Sequence, residues 1–286
     1  LEPCAHHGRT PPCAEALVRS GVARVVAAMQ DPNPLVAGKG FSILRAAGIE
    51  VQSGLLEAEA RELNLGFVSR MTRGRPWVRL KLAASLDGRT ALANGRSQWI
   101  TAEAARRDAH RLRAEACAVL TGIGTVRDDD PRLTVRGVAT SRQPARVVVD
   151  SRLETPPDAK VLEGGALVFC AVGDGAASAV LAGRGAELVV LSDALGKVDL
   201  AAMMLELGRR GFNEVLVEAG YKLNGSLLAA GLVDELVIYL APHLLGDGAR
   251  GMFNLPALED LAGRRELVIR DLRSVGQDLR ITARLA

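Results

Sequence analysis

The 286 residues predict an α/β protein with a mostly parallel sheet, and three observations carry that expectation. Between residues 166 and 218 apolar runs alternate with helical stretches: ALVFCAV, a helix from Gly175, ELVVL, a helix over Leu200–Arg210, then NEVLVE. Crossover units of this kind lay their strands side by side in parallel. A weaker version of the same alternation fills the first seventy residues. The chain ends differently, with two runs at 266–275 and 278–285 that turn back at Gly276-Gln277, an antiparallel finish. Gly74-Arg75-Pro76 interrupts the pattern, which predicts one domain over 1–74 and a second over 75–286.

Composition narrows the class. Apolar residues make up 48% and aromatics only 3%, so the core must be built from Ala, Val and Leu. A net charge of +3, with no block of five or more basic residues, argues against a nucleic-acid binder. No apolar run approaches the ~18 residues that a membrane span needs, and no signal peptide is visible. Of the four cysteines, Cys117 and Cys170 fall inside apolar runs and are expected to be buried thiols. Without an export signal, a disulfide framework is not expected and a cytoplasmic setting is. The chain opens on Leu1 rather than Met, which suggests a fragment.

In order, the first elements are a helix over Cys13–Ser20, a mostly buried strand VARVVAAM, and a turn at Asp31-Pro32-Asn33-Pro34. A helix near Lys39–Ala47 and a strand over Ile49–Gln52 follow. Glu57–Arg73 reads as one amphipathic helix, with Ala60, Leu63, Phe67 and Met71 on its stripe. In the opening LEPCAHHGRTPPC, Cys4 and Cys13 are either free thiols or soft ligands for zinc.

The stretch PWVRLKLAASLDGRTALANGRSQWIT begins as a strand of period two, with Arg79 and Lys81 on its polar face. Turn signals at Asp87-Gly88 and Asn94-Gly95 make the rest a loop that ends near Trp99, as a site floor or a surface hairpin would. Thr101 suits an N-cap for a helix reaching Glu115. Arg106, His110 and Arg113 share one face of it, with Arg106 expected to be solvated. CAVLT is a buried strand ending in Gly122-Ile123-Gly124-Thr125, whose amides could approach a phosphate or a nicotinamide closely. Asp128 and Asp130 are expected to be solvated turn residues. No G-x-G-x-x-G accompanies the strand Arg146–Asp150, which disfavours a Rossmann domain; Ser151 and Arg152 suit a 2′-phosphate instead. Glu218-Ala219-Gly220 stands at the carboxyl end of a strand, where parallel sheets place functional groups. A last long strand, VDELVIYLAP, precedes the antiparallel pair.

Several motifs resemble one family. Pro3-Cys4 with AHHGRTPP and Cys13, and Asn64-x-Gly66-Phe67, resemble the pyrimidine deaminase of riboflavin biosynthesis. LKLAASLDGRTA, SQWIT, Asp129-Asp130-Pro131-x-Leu133-Thr134-x-Arg136, Glu218-Ala219-Gly220 and Ala241-Pro242-x-Leu244-Leu245-Gly246 resemble the reductase half of the same bifunctional enzyme. That resemblance implies part of a cytidine-deaminase-like domain followed by a dihydrofolate-reductase-like domain. It also implies NADPH-dependent reduction of a phosphoribosylaminopyrimidine, a small-molecule substrate, and a homo-oligomer. Ser97, Arg113, Leu133, Arg136 and Glu218 would meet the substrate. Ala83, Trp99, Gly124, Thr125, Asp129, Ser151 and Gly220 would meet the cofactor, and Cys4 and Cys13 would hold Zn2+. Lys81, on the polar strand face, is the candidate for stabilising charge or donating a proton at the ribose oxygen, and Glu218 would hold a polar group near the reacting sugar. Ser97, Arg113, Arg136 and Glu218 are expected to share a cavity beside Gly124 and Gly220. Tyr221 and Lys222 depart from the family's Pro-Thr. None of the four histidines is followed by x-Glu, so the third zinc ligand and the proton shuttle are expected upstream of Leu1, and deamination is not expected. A pterin reductase and a zinc module binding nucleic acid are the rivals, and the small charge weighs against the second.

Overall fold

The computed structural model describes residues 1–8, 10–173 and 175–286, so Arg9 of the opening loop lies outside the described residues. The chain divides into two compact units, Leu1–Pro76 and Trp77–Ala286.

The first unit holds α1 (Cys13–Arg19), β1 (Arg24–Ala27), α2 (Lys39–Ala46), β2 (Glu50–Ser53), α3 (Glu57–Leu63) and α4 (Leu65–Arg73). β1 and β2 pair in parallel, and Ala14, Leu44 and Ile49 form the buried centre. The Glu2 carboxylate, 4% exposed, ties the amino end to α2 by accepting from the amides of Asp31, Gly38 and Phe41. Two expectations are corrected. β1 is shorter and more exposed than a buried strand, with Val26 at 47%, because its sheet has only one other strand to cover it. The single helix over Glu57–Arg73 is two, broken at Asn64 (φ −124, ψ 23). The Asn64 side chain donates to the carbonyl of Ala60 at 2.8 Å, the local bonding by which Asn competes with a helix ladder.

In the second unit the strands are β3 (Trp77–Ser85), β4 (Arg89–Ala91), β5 (Ala118–Gly122), β6 (Ala145–Val149), β7 (Ala166–Cys170), β8 (Ala186–Val190), β9 (Glu214–Val217), β10 (Glu235–Ala241), β11 (Arg250–Gly251), β12 (Leu267–Val275) and β13 (Asp278–Leu285). The helices are α5 (Glu103–Glu115), α6 (Ile123–Asp129), α7 (Ala176–Gly183), α8 (Leu200–Arg209) and α9 (Tyr221–Ala229). Nine strands make one sheet in the order β12-β13-β10-β3-β9-β5-β6-β7-β8. All pairs from β10 to β8 are parallel, and β13 and β12 join antiparallel. Neighbouring residues of one strand, such as Val147 and Val148, fall into different core clusters, so both faces of the sheet are covered.

Local chemistry explains two departures. Ala102, not Thr101, is the N-cap of α5, and its amide is bonded at 2.8 Å to Asp278 Oδ2, a carboxylate far along the chain. Gly122-Ile123-Gly124-Thr125 is no open loop: it is the last residue of β5 and the first turn of α6.

Candidate active site

Strand register builds the centre of the site. Leu80 of β3 pairs with Val217 of β9, so the residues that follow, Lys81 and Glu218, are neighbours. Lys81 Nζ lies 3.6 Å from Glu218 Oε2. From α5, Arg113 grips both oxygens of the same carboxylate: Nε donates to Oε1 at 2.5 Å and Nη2 to Oε2 at 3.0 Å. A third Arg113 bond, Nη1 to the carbonyl of Thr134 at 2.9 Å, fixes the guanidinium, while Thr121 Oγ1 donates to the Glu218 carbonyl at 2.7 Å. The planar fork of Arg suits this two-point grip in a way that Lys cannot match.

Electrostatics follow from burial and charge. Burial alone would raise the Glu218 carboxyl, but the adjacent Arg113 and Lys81 outweigh it and hold it at about 2. Burial disfavours a charged Arg113, and Glu218 more than compensates, raising it. His110, one turn back on α5, is pushed down to about 4, first by burial and then by Arg113 and Arg136. Its Nδ1 accepts the amide of Arg136 at 3.0 Å. A neutral histidine is what that acceptor role requires.

A cavity of about 640 Å³ opens beside this cluster. Its lining includes Lys81, Ala83, Ser97, Gly124, Thr125, Asp129, Glu218 and Gly220. It sits past the carboxyl ends of β9, β5 and β6, the usual place for a ligand on a parallel sheet. Asp129 accepts from Ser97 Oγ at 3.1 Å and from Gln98 at 3.4 Å, so α6 and the loop after β4 meet at the rim. Arg250 of β11 lines this cavity and a neighbouring one of about 530 Å³.

Other expected site residues are placed differently. Arg113 stands behind Glu218 and reaches the cavity only through it, and Arg136 is exposed and tied in by its main chain to His110. Leu133 is 2% exposed and packed in the core at φ 52, which leaves only its backbone for a ligand. Ser151 does not line the cavity; its hydroxyl accepts the Val198 amide at 3.1 Å, and Arg152 is exposed. Trp99, 69% exposed, is outside the lining as well. Arg106 is not simply solvated: it lies 4.8 Å over the Trp99 ring and donates to the Thr101 carbonyl. Asp130 is a brace rather than a free turn residue, accepting from both the amide and the ammonium of Lys160. Cys4 and Cys13 do come together, with the Cys13 amide donating to Cys4 Sγ at 3.3 Å. Among the described residues no group of three His, Cys, Asp or Glu side chains could hold a metal ion.

Tyr221 and Lys222, noted in the sequence only as departures from a pattern, line the cavity, and so does Arg250, which had no sequence signal of its own. His110 could have been found, since it shares a helix face with Arg113.

Known proteins place this geometry. The family model of the RibD C-terminal domain matches residues 76–280. The riboflavin biosynthesis protein RibD of Escherichia coli K12 is 47% identical over 98% of this chain and 79% of its own length. Acinetobacter baumannii RibD superposes with a TM-score of 0.91 at 44% identity, over 100% of this chain and 79% of that one. A Thermotoga maritima structure described as a diaminohydroxyphosphoribosylaminopyrimidine deaminase/5-amino-6-(5-phosphoribosylamino)uracil reductase does so with a TM-score of 0.86 at 31% identity, over 100% of this chain and 78% of that one. With the cavity inside the matched region, this chain belongs to the RibD family of riboflavin biosynthesis proteins.

Proposed function

We propose that Trp77–Ala286 is an NADPH-dependent reductase that converts the ribosyl group of 5-amino-6-(5-phosphoribosylamino)uracil to ribityl. One observation carries the reading: the buried Lys81–Glu218–Arg113 cluster opens onto a cavity walled by Gly124 and Gly220. The wall suits a nucleotide. A Cβ on Gly124 would meet nothing within 4 Å, so that face is open space over bare backbone, and about 640 Å³ falls in the range of small-molecule sites.

In the balanced reaction the C1′–O4′ bond breaks, C1′ gains a hydride and O4′ gains a proton. Bound NADPH supplies the hydride. The chain supplies position and charge. Arg113 occupies both Glu218 oxygens and fixes the carboxylate, and Glu218 in turn holds Lys81 at 3.6 Å. The ammonium keeps N–H bonds free for the ribose oxygen and is the proton donor for O4′. The two cations and one carboxylate leave one positive charge, which favours a phosphorylated substrate. Ser97 binds the substrate from the rim. The test is consumption of NADPH with this substrate. Oxidation no faster than in its absence, or competition by folate, would reject the assignment.

Leu1–Pro76 is part of a zinc pyrimidine-deaminase domain in the same reading. Cys4 and Cys13 would hold the ion as thiolates, although the side-chain hydrogen bond that the Cys13 thiol donates to Cys4 pushes it up from its ordinary value. Two donors fall short of the three protein ligands of a catalytic zinc. Four free cysteines support a cytoplasmic setting.

A further inference from the structure

We propose that Asp108, held by Tyr239 and Arg280, is a positioning residue: it sets the seat of α5 on the sheet and, through it, where Arg113 holds Glu218 beside Lys81. The inference rests on the reductase reading above. α5 is tied down at three successive points. At its start the Ala102 amide donates to Asp278 Oδ2 at 2.8 Å. In its middle Asp108 Oδ2 accepts from the Tyr239 hydroxyl at 2.7 Å and from Arg280 Nη1 at 2.9 Å. Near its end Arg113 grips the two Glu218 oxygens at 2.5 and 3.0 Å.

Only the last tie belongs to the site, and the middle one is the nearer of the other two. Strand register assembles it. Tyr239 of β10 pairs with Arg280 of β13 on one side and with Ala83 of β3 on the other. Ala83 lines the cavity, two residues on from Lys81 and on the same face of β3. The two donors therefore stand on the sheet that carries Lys81, while the acceptor rides on the helix that carries Arg113. Asp108 is 9% exposed and Tyr239 1%. Burial first, and then the bond to Asp108, push the Tyr239 hydroxyl up from its ordinary value, so it stays a donor. Arg111, exposed and 3.7 Å from the other Asp108 oxygen, adds little.

Stability does not account for this arrangement. Apolar packing would seat the helix as firmly, because a buried ion pair recovers little beyond its own desolvation. The same face of β13 also buries Asp278 Oδ1, Arg280 Nε and Thr282 Oγ1 with no hydrogen-bond partner among the described residues, which is a cost. What the polar contacts add is direction. Asp108 and Arg113 are five residues apart, ~7.5 Å along the axis. On a helix ~10–12 Å across, a rotation of about 10° moves a side chain at the surface by about 1 Å. A misplacement of that size can cost about 10²-fold in rate.

The test follows NADPH consumption by the full chain Leu1–Ala286 with 5-amino-6-(5-phosphoribosylamino)uracil, beside NADPH affinity from nicotinamide fluorescence and thermal melts. Tyr239→Phe keeps the ring and removes the hydroxyl. It should lower kcat about tenfold while the Kd for NADPH changes by less than about twofold, and Asp108→Asn should do the same. Leu207→Ala, a core truncation on the opposite face of the sheet, should melt lower yet keep its kcat below the transition. In an Arg113→Lys background, Tyr239→Phe should lower kcat no further, although the two effects on the melt add. An unchanged kcat in Tyr239→Phe overturns the proposal. So does a tenfold loss repeated in full on Arg113→Lys, or a loss that Leu207→Ala reproduces. A wild-type chain that oxidises NADPH no faster with the substrate than without it would instead remove the reductase reading, and this inference with it.

Discussion

Glu218 is the residue on which two half-buried cations depend. Replacing it by Gln leaves Arg113 and Lys81, 13% and 18% exposed, without a counter-ion, and breaking a buried pair in this way costs about 3 kcal/mol or more. Glu218→Gln should therefore lower the denaturation midpoint markedly, as well as activity. Lys81→Ala should separate the two effects of the site: kcat falls by about 10²-fold or more, as for a lost general acid, while the Kd for NADPH stays near wild type. His110 makes a prediction about pH. Its pKa in the fold is depressed from 6.5 to about 4, so the neutral form is favoured and its contribution is complete above pH 6.5. That contribution is lost as pH falls through 4. The charged groups that act on it are Arg113, Arg136, Lys81 and Glu218. Thermal melts should show wild type losing more stability than His110→Asn between pH 7 and pH 4.5. Parallel curves would show that the imidazole does not titrate as described.

Elements were legible wherever one periodicity governed a whole segment. The strands of the parallel sheet read clearly because burial on both faces demands continuous apolar runs, as in ALVFCAV and NEVLVE. What failed were features set by a partner distant in sequence or by a single polar side chain. The cap of α5 comes from Asp278, 176 residues away, and nothing near Thr101 announces it. The break between α3 and α4 turns on Asn64 alone, whose helical stripe continues across it in sequence. At the site, Lys81, Glu218 and Gly220 could be placed by their strands, whereas Arg250 enters from a two-residue strand without a pattern. Ser151 and Leu133 show the opposite error: residues beside a site whose side chains turn into local hydrogen bonding or the core. The α5 cap is testable. Asp278 is fully buried, and Asp278→Ala should cost about 1–2 kcal/mol through the orphaned Ala102 amide, with little change in NADPH affinity.

For the molecule as a whole, the two units differ sharply in how much they bury. Leu1–Pro76 has one small buried cluster, with Met29, Val36 and Phe41 buried besides it, while Trp77–Ala286 has two extensive clusters on the faces of its sheet. Small cores are marginal, so the amino-terminal unit should exchange its amide hydrogens faster and be cleaved first in limited proteolysis. Equal protection of β1 and β6 would contradict this. With zinc supplied, Leu1–Ala286 should show no deaminase turnover above background, because two thiolates do not complete a catalytic site.

The outermost strand of the large sheet has a further consequence. β12 leaves Leu267, Val268, Ile269 and Leu272 between 43% and 60% exposed, a sticky rim whose outer edge pairs with no strand among the described residues. Its ladder with β13 slips between Ile269 and Asp271, inserting Arg270 as a kink. A bent border that carries Arg270, Asp271 and Arg273 is a poor template for another strand, which keeps the open side of the sheet from being extended by a second copy.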